Sequence, residues 1–260
     1  METSQDSQIV TEQYKNAAHL QTRISIHEKY SVNKQGFGNW IFEQYTLKEH
    51  SRILELGCGD GSMWKTHLQD LPNSSSVILT DFSEGMLLTA KANLPQNDHL
   101  SFEQVDIQDI PFDDDSFDVV IANMMLYHVP DLGKGLREVK RVLKDGGTFY
   151  SATYGEHGIT EYIQNLLNDY RIKETANPVF TLQNGNDILG RYFHSVQKRL
   201  YEDWLEITNA EDFLEYILSL KSMMDVSSIS KDELRALLHQ QEKAGKIVVP
   251  KEYGLFIARK

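Results

Sequence analysis

Ile53-Leu-Glu-Leu-Gly-Cys-Gly-Asp-Gly-Ser62 is a short apolar strand pattern that runs straight into a loop with glycines at 57, 59 and 61. Glycine has no Cβ, so such a loop can take positive φ and bring bare backbone close to a ligand at the carboxyl edge of a parallel sheet. Further along, Asp81 closes the apolar run Val77-Ile-Leu-Thr-Asp81, where a carboxylate can accept hydrogen bonds from both hydroxyls of a ribose. Loop and carboxylate together predict a cofactor cleft. The plainer alternative is a glycine turn that only joins a strand to a helix.

The pattern continues on both sides of this stretch. From Ser51 to Tyr154, strand-sized runs at 52–56, 77–81, 100–106, 117–123 and 147–153 alternate with helical patterns, as in βαβ units that build a parallel sheet. One helix begins after Asp131 and places Leu132, Leu136, Val139 and Leu143 on one face, ending at Gly146. Lys140, Arg141 and Lys144 crowd its end, where cations complement the helix dipole. A second helix runs from the cap Ser83 through Met86, Leu87 and Ala90 to about Leu94, ahead of Pro95.

Residues 8–30 predict a mostly polar helix, followed by an aromatic segment with Trp40, Ile41, Phe42 and Tyr45. Beyond Gly155 two helical stripes are expected to face the core: Ile163, Leu166, Leu167 and Tyr170, then Phe213, Tyr216, Ile217 and Leu220. Two more strand candidates, Phe193 to Ile207 and Tyr253 to Arg259, would complete a sheet of about seven strands. The expected fold is α/β and doubly wound. Residues 1–46 form an N-terminal helical lid, and 47–260 form the main domain with helical insertions at about 156–190 and 209–246.

Composition narrows the function. Apolar residues make up 40% of 260, with 3 Trp, 12 Tyr and 11 Phe, ample for a folded interior. A net charge of −12 opposes binding to a nucleic-acid backbone, which depends on clustered Lys and Arg, so no nucleic-acid partner is expected. The single cysteine excludes an internal disulfide framework and fits a reducing, cytoplasmic location. METSQDSQIVTEQ at the start lacks the basic and apolar regions of an export signal, and no run approaches the length of a membrane span. No metal is called for, and a monomer or homodimer is expected.

The loop also discriminates between cofactors. Dinucleotide folds use G-x-G-x-x-G, whose third glycine packs the helix under a pyrophosphate. Here the spacing is G-x-G-x-G, position 62 is Ser, and Asp60 would repel a pyrophosphate. An NAD-dependent oxidoreductase is therefore the weaker enzyme reading.

Glu55-Leu-Gly-Cys-Gly-Asp-Gly61 resembles the first motif of class I S-adenosylmethionine-dependent methyltransferases. The resemblance continues through Asp81, Val105-Asp106-Ile107, Phe117 to Asn123, and Leu143-Lys-Asp-Gly-Gly-Thr-Phe149, across about one hundred residues. It implies a Rossmann-like domain of the small-molecule branch, which acts on quinones, lipids and secondary metabolites. S-adenosyl-L-methionine would be the cofactor and S-adenosyl-L-homocysteine the product. Backbone at Gly57, Cys58 and Gly59 would hold the methionine part, Asp81 the ribose, and Phe82 would flank the adenine. Asp106 and the Ile107 amide would read the adenine edge, and Asn123 would lie beneath the methionine end. Glu55, Gly61 and Met86 complete the implied cofactor set.

Methyl transfer is an in-line displacement at a carbon already activated by positive sulfur, so the protein mainly has to hold the acceptor about 3 Å away. An acceptor hydroxyl or ammonium must also lose a proton, and histidine suits that task. His128 follows the fourth strand in Asn123-Met-Met-Leu-Tyr-His-Val-Pro130 and is the first candidate base. His27 is a second candidate, from the lid. Tyr14, Tyr30, Met124, Tyr127 and Tyr154 are the candidate pocket for a small organic acceptor, with soft methionines fitting an apolar one. Capping or packing roles for these residues remain the alternative, as does a cofactor-binding regulator without turnover.

Overall fold

The computed structural model describes residues 17–170, 179–220, 224, 226 and 228–260. The strands are β1 (Arg52–Leu56), β2 (Ser76–Asp81), β3 (Leu100–Gln104), β4 (Phe117–Ile121), β5 (Leu143–Tyr154), β6 (Ser195–Tyr201), β7 (Trp204–Ile207), β8 (Ile247–Pro250) and β9 (Tyr253–Arg259). Seven of them form one sheet in the order β3-β2-β1-β4-β5-β9-β6. The first five run parallel, whereas β9 lies antiparallel between β5 and β6. The strand order reverses between β1 and β4, which opens a crevice at their carboxyl ends.

The helices are α1 (Ala17–Tyr30), α2 (Phe37–Glu43), α3 (Ser62–His67), α4 (Glu84–Asn93), α5 (Leu132–Val142), α6 (Ile159–Leu166), α7 (Gly185–Leu189), α8 (Ala210–Ser219) and α9 (Lys231–Gln241). Side chains alternate across a strand, so the sheet buries two different sets. Leu54, Leu56, Val120 and Phe149 pack on one face with Leu136, Val139 and Val142 of α5. Ile53, Val77, Leu79, Val119 and Ile121 pack on the other with Ile41 of α2 and Trp64 of α3. Helices on both faces make the sheet doubly wound.

A third apolar cluster gathers the later helices with a two-stranded sheet of β7 and β8. Ile163 and Leu167 meet Phe213, Tyr216, Ile217 and Leu220 there, so both expected stripes face the same core. Ile26 of α1 joins them.

Two local readings change. The helix after Asp131 stops at Val142, because Leu143 already takes extended backbone (φ −78°, ψ 131°) and pairs with Phe117 of β4. The segment 193–207 is two strands, since Asp203 turns the chain by accepting the backbone amides of Asn33 and Trp204, each at 2.9 Å. Arg141 does more than complement a dipole. Its guanidinium donates to the carbonyls of Phe112 (2.7 Å) and Ile110 (2.8 Å) and pairs with Glu138 and Asp114. Among the described residues no helix is long and apolar enough to cross a membrane.

Candidate functional site

The glycine loop turns left-handed at three points: φ is 70° at Gly57, 58° at Gly59 and 72° at Gly61. Each glycine has a different reason. A Cβ on Gly57 would meet the Met125 side chain at 3.0 Å, and one on Gly61 would meet Leu94 Cδ1 at 2.9 Å. A Cβ on Gly59 would meet nothing within 4 Å, because Gly59 borders the open cleft. The loop thus combines close chain packing on two sides with bare backbone toward an empty space.

That space is a cleft of about 390 Å³ at the carboxyl ends of β1 and β4. Gly57, Cys58, Gly59, Asp81, Phe82, Asp106, Ile107 and Asn123 all line it, as do Met124 and His128. Asp81 Oδ2 accepts the Gly59 amide at 3.0 Å, and Oδ1 accepts the Ser83 amide at 2.8 Å. Burial pushes the Asp81 carboxyl up while these amides pull it back. Asp106 is held by the amide of Gln108 at 2.8 Å, and the Phe82 ring stands 41% exposed at the rim.

Asn123 is fixed at both ends of its amide: Nδ2 donates to Tyr45 Oη at 2.7 Å, and Oδ1 accepts from the Ala152 amide at 3.3 Å. Met124 follows with φ 54°, a strained conformation for a side-chain-bearing residue of the kind that collects at functional sites. The chain then makes a single helical turn over Leu126–His128. There His128 packs on Tyr127 (ring centroids 4.4 Å), and Tyr127 packs on Tyr154 (4.7 Å). Burial, with the charge of Arg23, brings the His128 imidazole down to about 4.

Other expected residues lie outside the cleft lining. Glu55 points to the opposite face of β1 from Leu54 and Leu56, where its carboxylate takes the indole N–H of buried Trp64. Gly61 packs against Ala90 and Leu94, and Met86 is 2% exposed within α4. Tyr30 donates to Asp212 Oδ2 at 2.6 Å, which ties α1 to α8. Tyr127 and Tyr154 stand behind His128. His27 Nε2 lies 3.3 Å from Tyr253 Oη, with its ring against Tyr216 and Tyr253, and burial takes it down to about 3. Tyr14 falls outside the described residues.

The lining also includes residues that the sequence did not single out for a role, among them Ile24, Phe37 and Gln108, together with Asp60, which the sequence reading set against a pyrophosphate. Gln108 adjoins the motif Val105-Asp106-Ile107 and was findable by adjacency. Ile24 and Phe37 carry no local signal; only the fold brings them there. Cys58 borders the cleft half-buried, and burial followed by the charges of Glu55 and Asp81 raises its thiol, which rules against a nucleophilic thiolate.

Residues 54–151, which hold the loop, Asp81, Asp106 and Asn123, match the family described as "Methyltransferase domain". Curated relatives of the domain include a demethylmenaquinone methyltransferase of Clavibacter sepedonicus, 42% identical over 96 residues, covering 37% of this chain and 38% of that one. A protein of the same name from Staphylococcus carnosus is 31% identical over 145 residues, covering 51% and 60%. The chain thus spans about half the length of the curated relatives it matches. Among solved structures, the chain is similar to the YcgJ protein of Bacillus subtilis (TM-score 0.56, 19% identity, covering 86% of this chain and 97% of that one). It is also similar to Haemonchus contortus phosphoethanolamine N-methyltransferase 2 (TM-score 0.55, 19% identity, covering 86% and 53%). At these identities the likeness establishes the fold alone.

Proposed function

We propose that the chain transfers a methyl group from S-adenosyl-L-methionine to a small, largely apolar organic acceptor and releases S-adenosyl-L-homocysteine. The observation that carries this reading is the approach of Asp81 to the glycine loop, with Oδ2 at 3.0 Å from the Gly59 amide across one wall of the cleft. A carboxylate and bare backbone in that relation suit a nucleoside whose amino-acid tail carries no phosphate. Asp60 on the same wall disfavours a pyrophosphate, and so NAD.

The residues fit the cofactor along its length. Asp81 would take the ribose hydroxyls, Asp106 and the Ile107 amide the adenine edge, Phe82 an adenine face, and Gly57 to Gly59 with Asn123 the methionine end. When bound, the sulfonium supplies an activated methyl carbon. The chain's own residues do the rest: Ile24, Phe37, Met124, Met125, Val129 and Pro130 bring apolar surface to the cleft and exclude water from the acceptor side. His128 is the polar side chain that this wall offers to an acceptor proton. Burial and the charge of Arg23 keep His128 unprotonated above about pH 4, so it can accept a hydrogen bond from the acceptor at physiological pH, as a weaker base than an exposed histidine.

An apolar wall fits a flat ring system, and two curated relatives carry the name demethylmenaquinone methyltransferase, so quinol-type acceptors come first in a screen. In this reading the described part of the expected lid, residues 17–46, reaches the cleft through Ile24 and Phe37, and residues 1–16 of it lie outside the described residues. A monomer or homodimer without a nucleic-acid partner, working in the cytoplasm, accords with the net charge of −12 and the single cysteine. The test is a methyl-donor screen over small acceptors with S-adenosyl-L-methionine. Turnover on one class establishes the activity, while tight cofactor binding without turnover on any acceptor favours a regulator.

A further inference from the structure

The link between α1 and α2 is held by a buried polar cluster. Lys251, between β8 and β9, forms an ion pair with Asp203 in which the two side chains are 1% and 0% exposed. The same ammonium donates to Ser31 Oγ at 2.9 Å. Asp203 Oδ1 accepts the amides of Asn33 and Trp204, the Val32 amide donates to the Trp204 carbonyl at 3.0 Å, and Asn33 Nδ2 donates to the Glu202 carbonyl at 3.0 Å. Residues 31, 32 and 33 are each tied to the turn between β6 and β7.

The cluster reaches the cleft through aromatic rings. The Lys251 ammonium lies 5.5 Å from the Tyr201 ring centroid and 5.0 Å from that of Tyr253. Both rings pack on Phe37, at 5.2 and 5.1 Å between centroids, and Phe37 lines the cleft. Gly36, at φ 79°, makes the turn between the tied residues and Phe37. Replacing a buried ion pair by apolar residues often costs little stability, so its presence here calls for another role.

We propose that Lys251 and Asp203 are positioning residues for the acceptor side of the cleft: acting through Ser31 and Asn33, they seat Phe37 against the site. This rests on reading the cleft as a methyl-transfer site. In-line transfer tolerates little displacement of the acceptor, so a wall fixed from behind by a buried pair sets which acceptors reach the methyl group. Lys251 and Asp203 lie outside the cleft lining themselves.

Cys58 supplies an internal probe, because it is the single cysteine and packs in the same apolar cluster as Phe37 and Trp40. Its labelling by N-ethylmaleimide, followed by mass spectrometry, reports opening of that wall. The double variant Lys251→Met/Asp203→Asn removes both charges and keeps a carbonyl for the two amides; it should label about tenfold faster than the native chain. Ser31→Ala, which keeps the ion pair, should label about threefold faster. Leu189→Ala, in the core on the other face of the sheet, lowers stability but should leave the labelling rate unchanged.

Native-rate labelling in the folded double variant overturns the proposal, as does equal acceleration by Leu189→Ala. If the double variant does not fold, Ser31→Ala decides by the same rule. Protection of Cys58 by S-adenosyl-L-homocysteine is read separately: its absence in the native chain counts against the methyl-transfer reading, whereas the ligand-free rate ratios judge the positioning role.

Discussion

Asp81 and Gly59 meet across the mouth of β1 and β2, the carboxylate oxygen 3.0 Å from the amide nitrogen. The contact fixes the loop before any ligand arrives and presents the carboxylate at the wall of the cleft. Burial works against the ionised form of Asp81, which is typical of a group kept for binding rather than for stability. Asp81→Asn removes the buried charge and keeps one acceptor oxygen, for either the Gly59 or the Ser83 amide, so a lost hydrogen bond is set against the relief of charge burial. It should melt within about 3 °C of the native chain, or above it, at pH 8. Calorimetric melting checks this; a fall of much more than that would make the carboxylate a structural element.

Glu55 gives a pH signature. Burial raises its carboxyl to about 7, against the donated Trp64 indole N–H and reinforced by the charge of Asp81. A folded value above the unfolded one means that the folded chain holds the proton more tightly. Stability from this group is therefore greatest below about pH 4.5 and declines as pH rises to about 7, by about 3 kcal/mol in all. Buried His27 and His128 act in the opposite direction below pH 6.5, so the informative quantity is a difference between variants. Glu55→Gln should gain on the native chain as pH goes from 5 to 8. Parallel melting curves across that range would show that Glu55 titrates normally.

Gly61→Ala tests the loop geometry. Its φ of 72° and the Leu94 methyl 2.9 Å from an added Cβ predict a loss of about 2–3 kcal/mol, or roughly 4–10 °C in melting temperature. Gly146→Ala shares the positive φ but has nothing within 4 Å, so it should lose about half as much. Equal losses would show that only φ matters.

His128 should separate chemistry from binding. His128→Ala is expected to lower kcat by about a hundredfold on the best acceptor from the screen, with cofactor affinity changed less than about threefold. Being neutral above about pH 4, it predicts no inflection from this group between pH 6 and 8. A pH profile rising through 6.5 would assign the proton to another residue, and unchanged kcat would leave His128 a packing role.

The parallel half of the fold was legible because its information is local. Strand runs, caps at Ser83 and Asp131, and the glycine spacing all lie within a few residues of what they determine, and the structure has Ser83 and Asp131 capping as expected. Glu55 was assigned to the cofactor by its motif, although alternation along β1 places it with Ile53, away from Leu54 and Leu56. The break in 193–207 was not legible, since it depends on Asp203 meeting Asn33 and Lys251, far away in sequence. Ile24 and Phe37 were missed for the same reason: an apolar residue carries no mark of the cleft it will line.

The most direct measurement is a calorimetric titration of the native chain and Asp81→Ala with S-adenosyl-L-homocysteine, and of the native chain with NAD. The account predicts one-site binding to the native chain, no heat with NAD, and at least about a fiftyfold loss of affinity in the folded variant, as two hydrogen bonds to a charged group require. Equal affinity in Asp81→Ala, or saturable binding of NAD, would contradict it.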